Sequence, residues 1–194
     1  MNDRETSAKL AQYRSQIAEL RAKIRETQAA AEPEEVRDYE FATTGKTVLL
    51  SELFAGKDDL FVIHNMGSKC PYCTLWADGY NGIYHHLANR AGFVVSSPDT
   101  SAVQQRLAAS RSWRFPMVSH QGSSFAADMG YRGESGSWLP GISVFKRDTA
   151  GGRGRILRVS NAGFSPGDDF CALWHIFDLL PGGAGDWDPK FTYA

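Results

Sequence analysis

Cysteine is scarce in this chain: three in 194 residues, at positions 70, 73 and 171. A disulfide-stapled scaffold carries more, in even number, so a packed core rather than crosslinks must hold the fold. A surplus of one charge is missing too. The 21 Lys and Arg against 22 Asp and Glu leave a net charge of −1, which provides no basic excess to neutralise phosphates and argues against a nucleic-acid partner. No apolar run approaches the roughly 20 residues that span a bilayer. The opening MNDRETSAKLAQYRSQ has no apolar stretch of the kind found in a secretory signal. Asp3, Glu5, Glu19 and Glu26 in the same region argue against an organelle transit peptide. A cytoplasmic location and no membrane partner are therefore expected. In a reducing compartment a close cysteine pair is more often catalytic or metal-binding than structural.

What is present suffices for one core: 42% hydrophobic and 12% aromatic residues. Residues 1–32 read as an amphipathic helix, free of Gly and Pro until Pro33. Leu10, Tyr13, Ile17, Leu20 and Ile24 recur at spacings of 3, 4, 3 and 4, a narrow seam suited either to its own domain or to a homodimer. Residues 33–38 read as an acidic linker, 39–180 as the main domain and 181–194 as an irregular tail. Within the main domain, strands are expected near Tyr39–Phe41, Thr47–Leu50, Leu60–His64, Phe93–Ser96, Phe115–Ser119, Ile142–Arg147 and Arg155–Ser160. Helices are expected over Pro71–Asn89, from a cap at Asp99 or Ser101 to Arg111, and over Asp168–Leu179, with a helical turn at Phe125–Met129. The last two strands would be joined by a turn over Asp148–Gly154. Strands alternating with helices, then a hairpin and a closing helix, predict an α/β fold with a mixed central sheet.

The chemistry concentrates at Cys70-Pro71-Tyr72-Cys73. With Cys70 as the helix N-cap, Pro71 falls at the first helical position, where a missing N–H costs nothing. Cys73 then lies one turn on, about 5–6 Å away, within reach of a disulfide. The helix N-terminus favours an anion, so Cys70 should ionise more readily than a free thiol, with Cys73 shielded behind it. A zinc site would need four ligands. The remaining candidates are the adjacent pair His85-His86 and the scattered His64, His120, His175 and Cys171, so neither metal nor cofactor is expected.

These residues resemble the thioredoxin superfamily. Leu139-Pro140-Gly141-Ile142-Ser143-Val144-Phe145-Lys146 looks like that superfamily's strand following a cis-proline. The resemblance implies a cis Pro140 facing the dithiol and a Leu139 backbone offered to substrate. Pro71, Tyr72 and Trp138 would complete the groove. His64 takes the position of the superfamily's buried acid, implying a proton-transfer role toward Cys73. Arg114-Phe115-Pro116-Met117-Val118-Ser119 and Asp128-Met129-Gly130 resemble the peroxiredoxin-type branch. The run from Tyr39 to Leu180, with its leading helix, looks most like a bacterial thioredoxin-like domain of unknown function related to the alkyl hydroperoxide reductase and thiol-specific antioxidant group. The chain departs from these patterns at Lys69, where thioredoxins have Trp. It also has Ile63 and Gly67 where peroxiredoxins place Pro and Thr or Ser. The expected function is thiol–disulfide oxidoreductase, with a protein or small-molecule disulfide as substrate and a thiol as electron donor. The alternatives are a non-enzymatic binding module and a thiol peroxidase.

Overall fold

A long helix, α1 (Asp3–Ala30), leads the chain, and the computed structural model describes residues 3–149 and 154–193. Its Ala-, Glu-, Gln- and Arg-rich composition favours helix, and Pro33 follows its end. None of its residues is buried, so of the two uses open to its seam, packing onto its own domain does not occur.

Among the described residues, eight strands form one mixed sheet: β1 (Glu34–Val36), β2 (Glu40–Thr43), β3 (Lys46–Leu49), β4 (Asp59–His64), β5 (Gly92–Ser97), β6 (Met117–Ser119), β7 (Gly141–Asp148) and β8 (Arg155–Gly163). Their order across the sheet is β1-β8-β7-β4-β5-β6-β2-β3. The parallel core β4-β5-β6 is joined by α2 (Pro71–Arg90) and α3 (Ser101–Arg111), and antiparallel pairs extend it on both sides. The short helices α4 (Phe125–Asp128) and α5 (Ala172–Phe177) complete the domain. Among the described residues no helix is long and apolar enough to cross a membrane.

Alternation along β4 divides the interior. Leu60 and Val62 point to one face, with Phe41, Phe125, Tyr131 and Phe145. Ile63 points to the other, with Trp76, Tyr80, Phe93, Phe115 and Trp174. Phe125 and Phe145 are fully buried, and truncating either to Ala should cost about 3–5 kcal/mol.

Three expectations need correction here. The segment expected as a linker carries β1, whose Glu34 to Val36 pair with Arg158 to Ile156. Its backbone closes what would otherwise be the open edge of β8, and two glutamates keep the new edge charged. The last helix starts at Ala172 rather than Asp168, because the Asp168 carboxylate accepts from the Ser165 and Phe170 amides and folds that stretch into a turn. Pro140 is not cis: no cis peptide bond occurs among the described residues. The trans form is intrinsically preferred by about 0.5–1 kcal/mol. Two bonds hold it here, Leu139 N–H to the Tyr131 carbonyl at 2.9 Å and Phe164 N–H to the Pro140 carbonyl at 3.0 Å. The turn expected over 148–154 lies largely outside the described residues.

Candidate active site

The dithiol sits where β4 ends and α2 begins. Cys70 is the N-cap of α2, with an extended backbone (φ −99°, ψ 107°) and Pro71 just inside the helix. Its sulfur accepts the Cys73 amide at 3.1 Å, and its carbonyl accepts the Thr74 amide and hydroxyl, each at 3.1 Å. A sulfur capping a helix in this way is stabilised as an anion by an otherwise unpaired N–H.

The two cysteines are free thiols of unequal exposure: Cys70 is half-buried and Cys73 buried. The Cys73 thiol donates to Cys70, and the Cys73 and Tyr72 amides add to it. These bonds outweigh partial burial and push Cys70 down to about 7. The reverse holds for Cys73: serving as donor to Cys70, and being buried, drives its thiol far up, while the Met66 amide opposes the shift. That amide donates to the Cys73 sulfur at 3.3 Å.

The loop between β4 and α2 is clamped from two sides. The Asn65 carboxamide oxygen accepts the Gly67 amide at 2.8 Å. Asp99, two residues beyond β5, accepts the Ser68 amide at 2.7 Å and the Ser68 hydroxyl at 3.1 Å. Gly67 has φ +108°, which L side chains rarely adopt, and a Cβ there would press to 3.1 Å on the Asp99 Oδ2 that clamps the loop. Asp99 was readable only as a candidate helix cap. Thr100 takes the capping role instead, accepting from the Val103 amide at 3.4 Å, and leaves Asp99 for the loop. Nothing in the sequence marked Asn65 or Met66.

His64 is not brought to the dithiol. It shares the face of Leu60 and Val62, stacks on Tyr131 with ring centroids 3.7 Å apart, and pairs through Nε2 with the Ser143 hydroxyl at 3.0 Å. Burial holds its imidazole well below the ordinary range. Cys73 belongs to α2, which packs on the opposite face, so one residue of strand parity separates the expected base from its thiol.

Leu139 and Pro140 line a cleft of about 450 Å³ together with Met129, Tyr131, Arg158 and Asn161, and Cys70 is not part of its wall. The Leu139 amide is already donated to Tyr131, which removes it as a donor to substrate. Register still places this corner beside the site, since Gly141 pairs with His64, the last residue of β4. Trp138 packs edge-on against His120 at 4.9 Å, with the Arg132 guanidinium over its ring at 5.0 Å. Tyr72, by contrast, does border Cys70. Its ring stacks near Trp174 at 6.2 Å and its hydroxyl donates to Asp188 in the C-terminal tail, so the tail braces the motif from outside. Among the described residues no group of three or more His, Cys, Asp or Glu converges as a metal site.

Solved structures similar in fold to this chain include peroxiredoxins. Peroxidoxin BcpB from Mycobacterium tuberculosis is 26% identical, with 66% of this chain and 84% of that one covered at a TM-score of 0.50. Peroxiredoxin Q from Xanthomonas campestris is 14% identical, covering 70% and 87% at 0.55. Reduced Prx3 from Vibrio vulnificus, solved with hydrogen peroxide, is 14% identical, covering 71% and 87% at 0.53. No curated protein matches the sequence. The family described as bacterial protein of unknown function, DUF899, matches residues 6–192. With nearly the whole chain matched and a thioredoxin-like fold related to the peroxiredoxins, the protein belongs to the DUF899 family.

Proposed function

We propose that this protein is a thiol–disulfide oxidoreductase with Cys70 as nucleophile and Cys73 as resolving thiol. The observation that carries this reading is the unequal pair: a half-buried Cys70 at the helix N-cap lowered to about 7, with a buried Cys73 donating to it. At neutral pH about half of Cys70 is thiolate. The Cys70 thiolate attacks one sulfur of a substrate disulfide, and the other leaves as a thiolate that takes a proton from solvent. Once Cys70 is in the mixed disulfide it carries no charge, so the main cause raising Cys73 disappears. The Met66 amide remains, donating to the Cys73 sulfur and favouring its ionisation. Cys73 then loses its proton to solvent, attacks the Cys70 sulfur and expels the second substrate thiolate. Two electrons have passed to the substrate, leaving a Cys70–Cys73 disulfide that an external thiol donor reduces.

A second reading, thiol peroxidase, is favoured by the peroxiredoxin neighbours. There the Cys70 thiolate attacks the O–O bond, an alcohol or water leaves, and Cys73 condenses with the sulfenic acid and releases water. Ile63 and Gly67 at the positions of the peroxiredoxin Pro and Thr or Ser weigh against it. Insulin reduction and peroxide consumption, each with a dithiol donor and with Cys70→Ser as control, separate the two. Cys70-dependent insulin reduction supports the oxidoreductase. Peroxide consumption without it supports the peroxidase, and neither activity leaves a non-enzymatic binding module.

A further inference from the structure

The seam of α1 lies in the open. Leu10, Tyr13, Ile17, Leu20 and Ile24 are 45–58% exposed. The helix is fixed to the body near its C-terminal end. Gln28 and Ala31 lie near Ser160 and Asn161, and Arg21 pairs in bidentate fashion with Asp169, beyond the end of β8, at 2.7 and 3.1 Å. With neither Gly nor Pro in α1, the residues before Arg21 form a stiff arm about 27 Å long that cannot fold back onto its own domain.

Charge identifies what the arm fits. With Leu10, Ile17 and Ile24 at the a positions of a heptad, the charged residues at the flanking e and g positions are Lys9, Arg14, Arg21 and Lys23, with no acid among them. Two copies of α1 side by side would set these like charges against each other in either orientation. The C-terminal region is the complement. From Phe164 to Pro189 the chain has five aspartates (168, 169, 178, 186 and 188) and no Lys or Arg. On and just after α5 it exposes Ile176 at 59%, Leu179 at 77% and Leu180 at 55%. The Arg21–Asp169 pair already joins the two surfaces once within a chain.

We infer that the arm of α1 docks its apolar seam on the acidic, apolar α5 and tail surface of a second copy of this chain, forming a twofold dimer in which each arm covers the other copy's patch. The contact is made twice by symmetry, and it lies beside the tail that holds Tyr72 through Asp188.

Sedimentation velocity on the full chain tests this, with Ile17→Asp in the arm and Leu179→Lys in the patch. Both positions are exposed, and circular dichroism checks that each variant stays folded. The wild type should sediment as a dimer and each variant as a monomer. An equimolar mixture of the two variants should recover partial dimer, because one arm and one patch remain intact in the mixed pair. Raising salt from about 50 to about 500 mM should weaken the dimer several-fold, since opposite charges are being screened. A dimer lost in Ile17→Asp but kept in Leu179→Lys, and strengthened by salt, would mean that two α1 helices pair with each other, and would overturn the proposal. So would a wild-type monomer at all concentrations. A monomer that binds phosphatidylserine vesicles through Ile17 would assign the seam to a membrane surface and overturn it equally.

Discussion

The imidazole of His64 stacks on Tyr131 at a centroid distance of 3.7 Å, nearly parallel at 14°, while its Nε2 pairs with the Ser143 hydroxyl at 3.0 Å. This is a residue of the core. His64→Ala should remove the stack and leave the Ser143 hydroxyl without that partner, costing about 2–4 kcal/mol in urea unfolding. The pH–rate profile of disulfide exchange should keep its shape below the melting range. A profile that loses an ionisation in the variant would restore a proton-transfer role for His64.

The cysteine pair should be chemically asymmetric. Alkylation of the reduced protein near pH 6.5 should label Cys70 first and Cys73 slowly, with peptide mapping as the readout. Cys70→Ser should abolish exchange. Cys73→Ser should still attack and then stall as a mixed disulfide, because no second thiol remains to release it. Equal slow alkylation at both positions would remove the basis for the proposed roles.

The loop clamp should matter for rate as well as stability. Asp99→Asn replaces a carboxylate that accepts from both the amide and the hydroxyl of Ser68, and should cost about 1.5–3 kcal/mol. Gly67→Ala adds a Cβ at φ +108° and 3.1 Å from Asp99 Oδ2, and should cost about 1–3 kcal/mol. Both should slow alkylation of Cys70 or shift its pH dependence, measured well below the melting temperature. Unaltered Cys70 reactivity in both variants would make the clamp a purely structural feature.

Two buried histidines set an acid limit on stability. Burial pushes His120 down to about 4 and holds His64 well below its ordinary value. In the unfolded chain both titrate near 6.5. As pH falls below that value the unfolded chain takes up protons that the native protein does not. Stability is therefore fully present above about 6.5 and is lost on the way down to the folded values. At pH 5 the loss from His120 should be about 2 kcal/mol relative to pH 7.5, with His64 adding to it in the same direction, read from urea midpoints. His120→Gln should flatten the dependence in part. Equal midpoints at the two pH values in the wild type would contradict this.

The order of strand, loop, Cys-Pro-Tyr-Cys and helix was legible in the residues because its causes are local. Helical spacing, an N-cap followed by Pro71 and the one-turn separation of two cysteines act within a few positions. The same locality made α1 and its seam visible. Contacts between distant segments decided the rest. Glu34–Val36 became a strand because β8, 120 to 124 residues later, offered an open edge. Pro140 stayed trans where Tyr131 and Phe164 hold the backbone on both sides. Asp99 reached back to Ser68 across 31 residues, and Met66 aligned its amide with Cys73 only once the loop had closed. Position 64 could be identified from the sequence as the end of a buried strand. Which face its imidazole would occupy depended on strand parity relative to α2, because a pleated strand sends neighbouring side chains to opposite sides of the sheet.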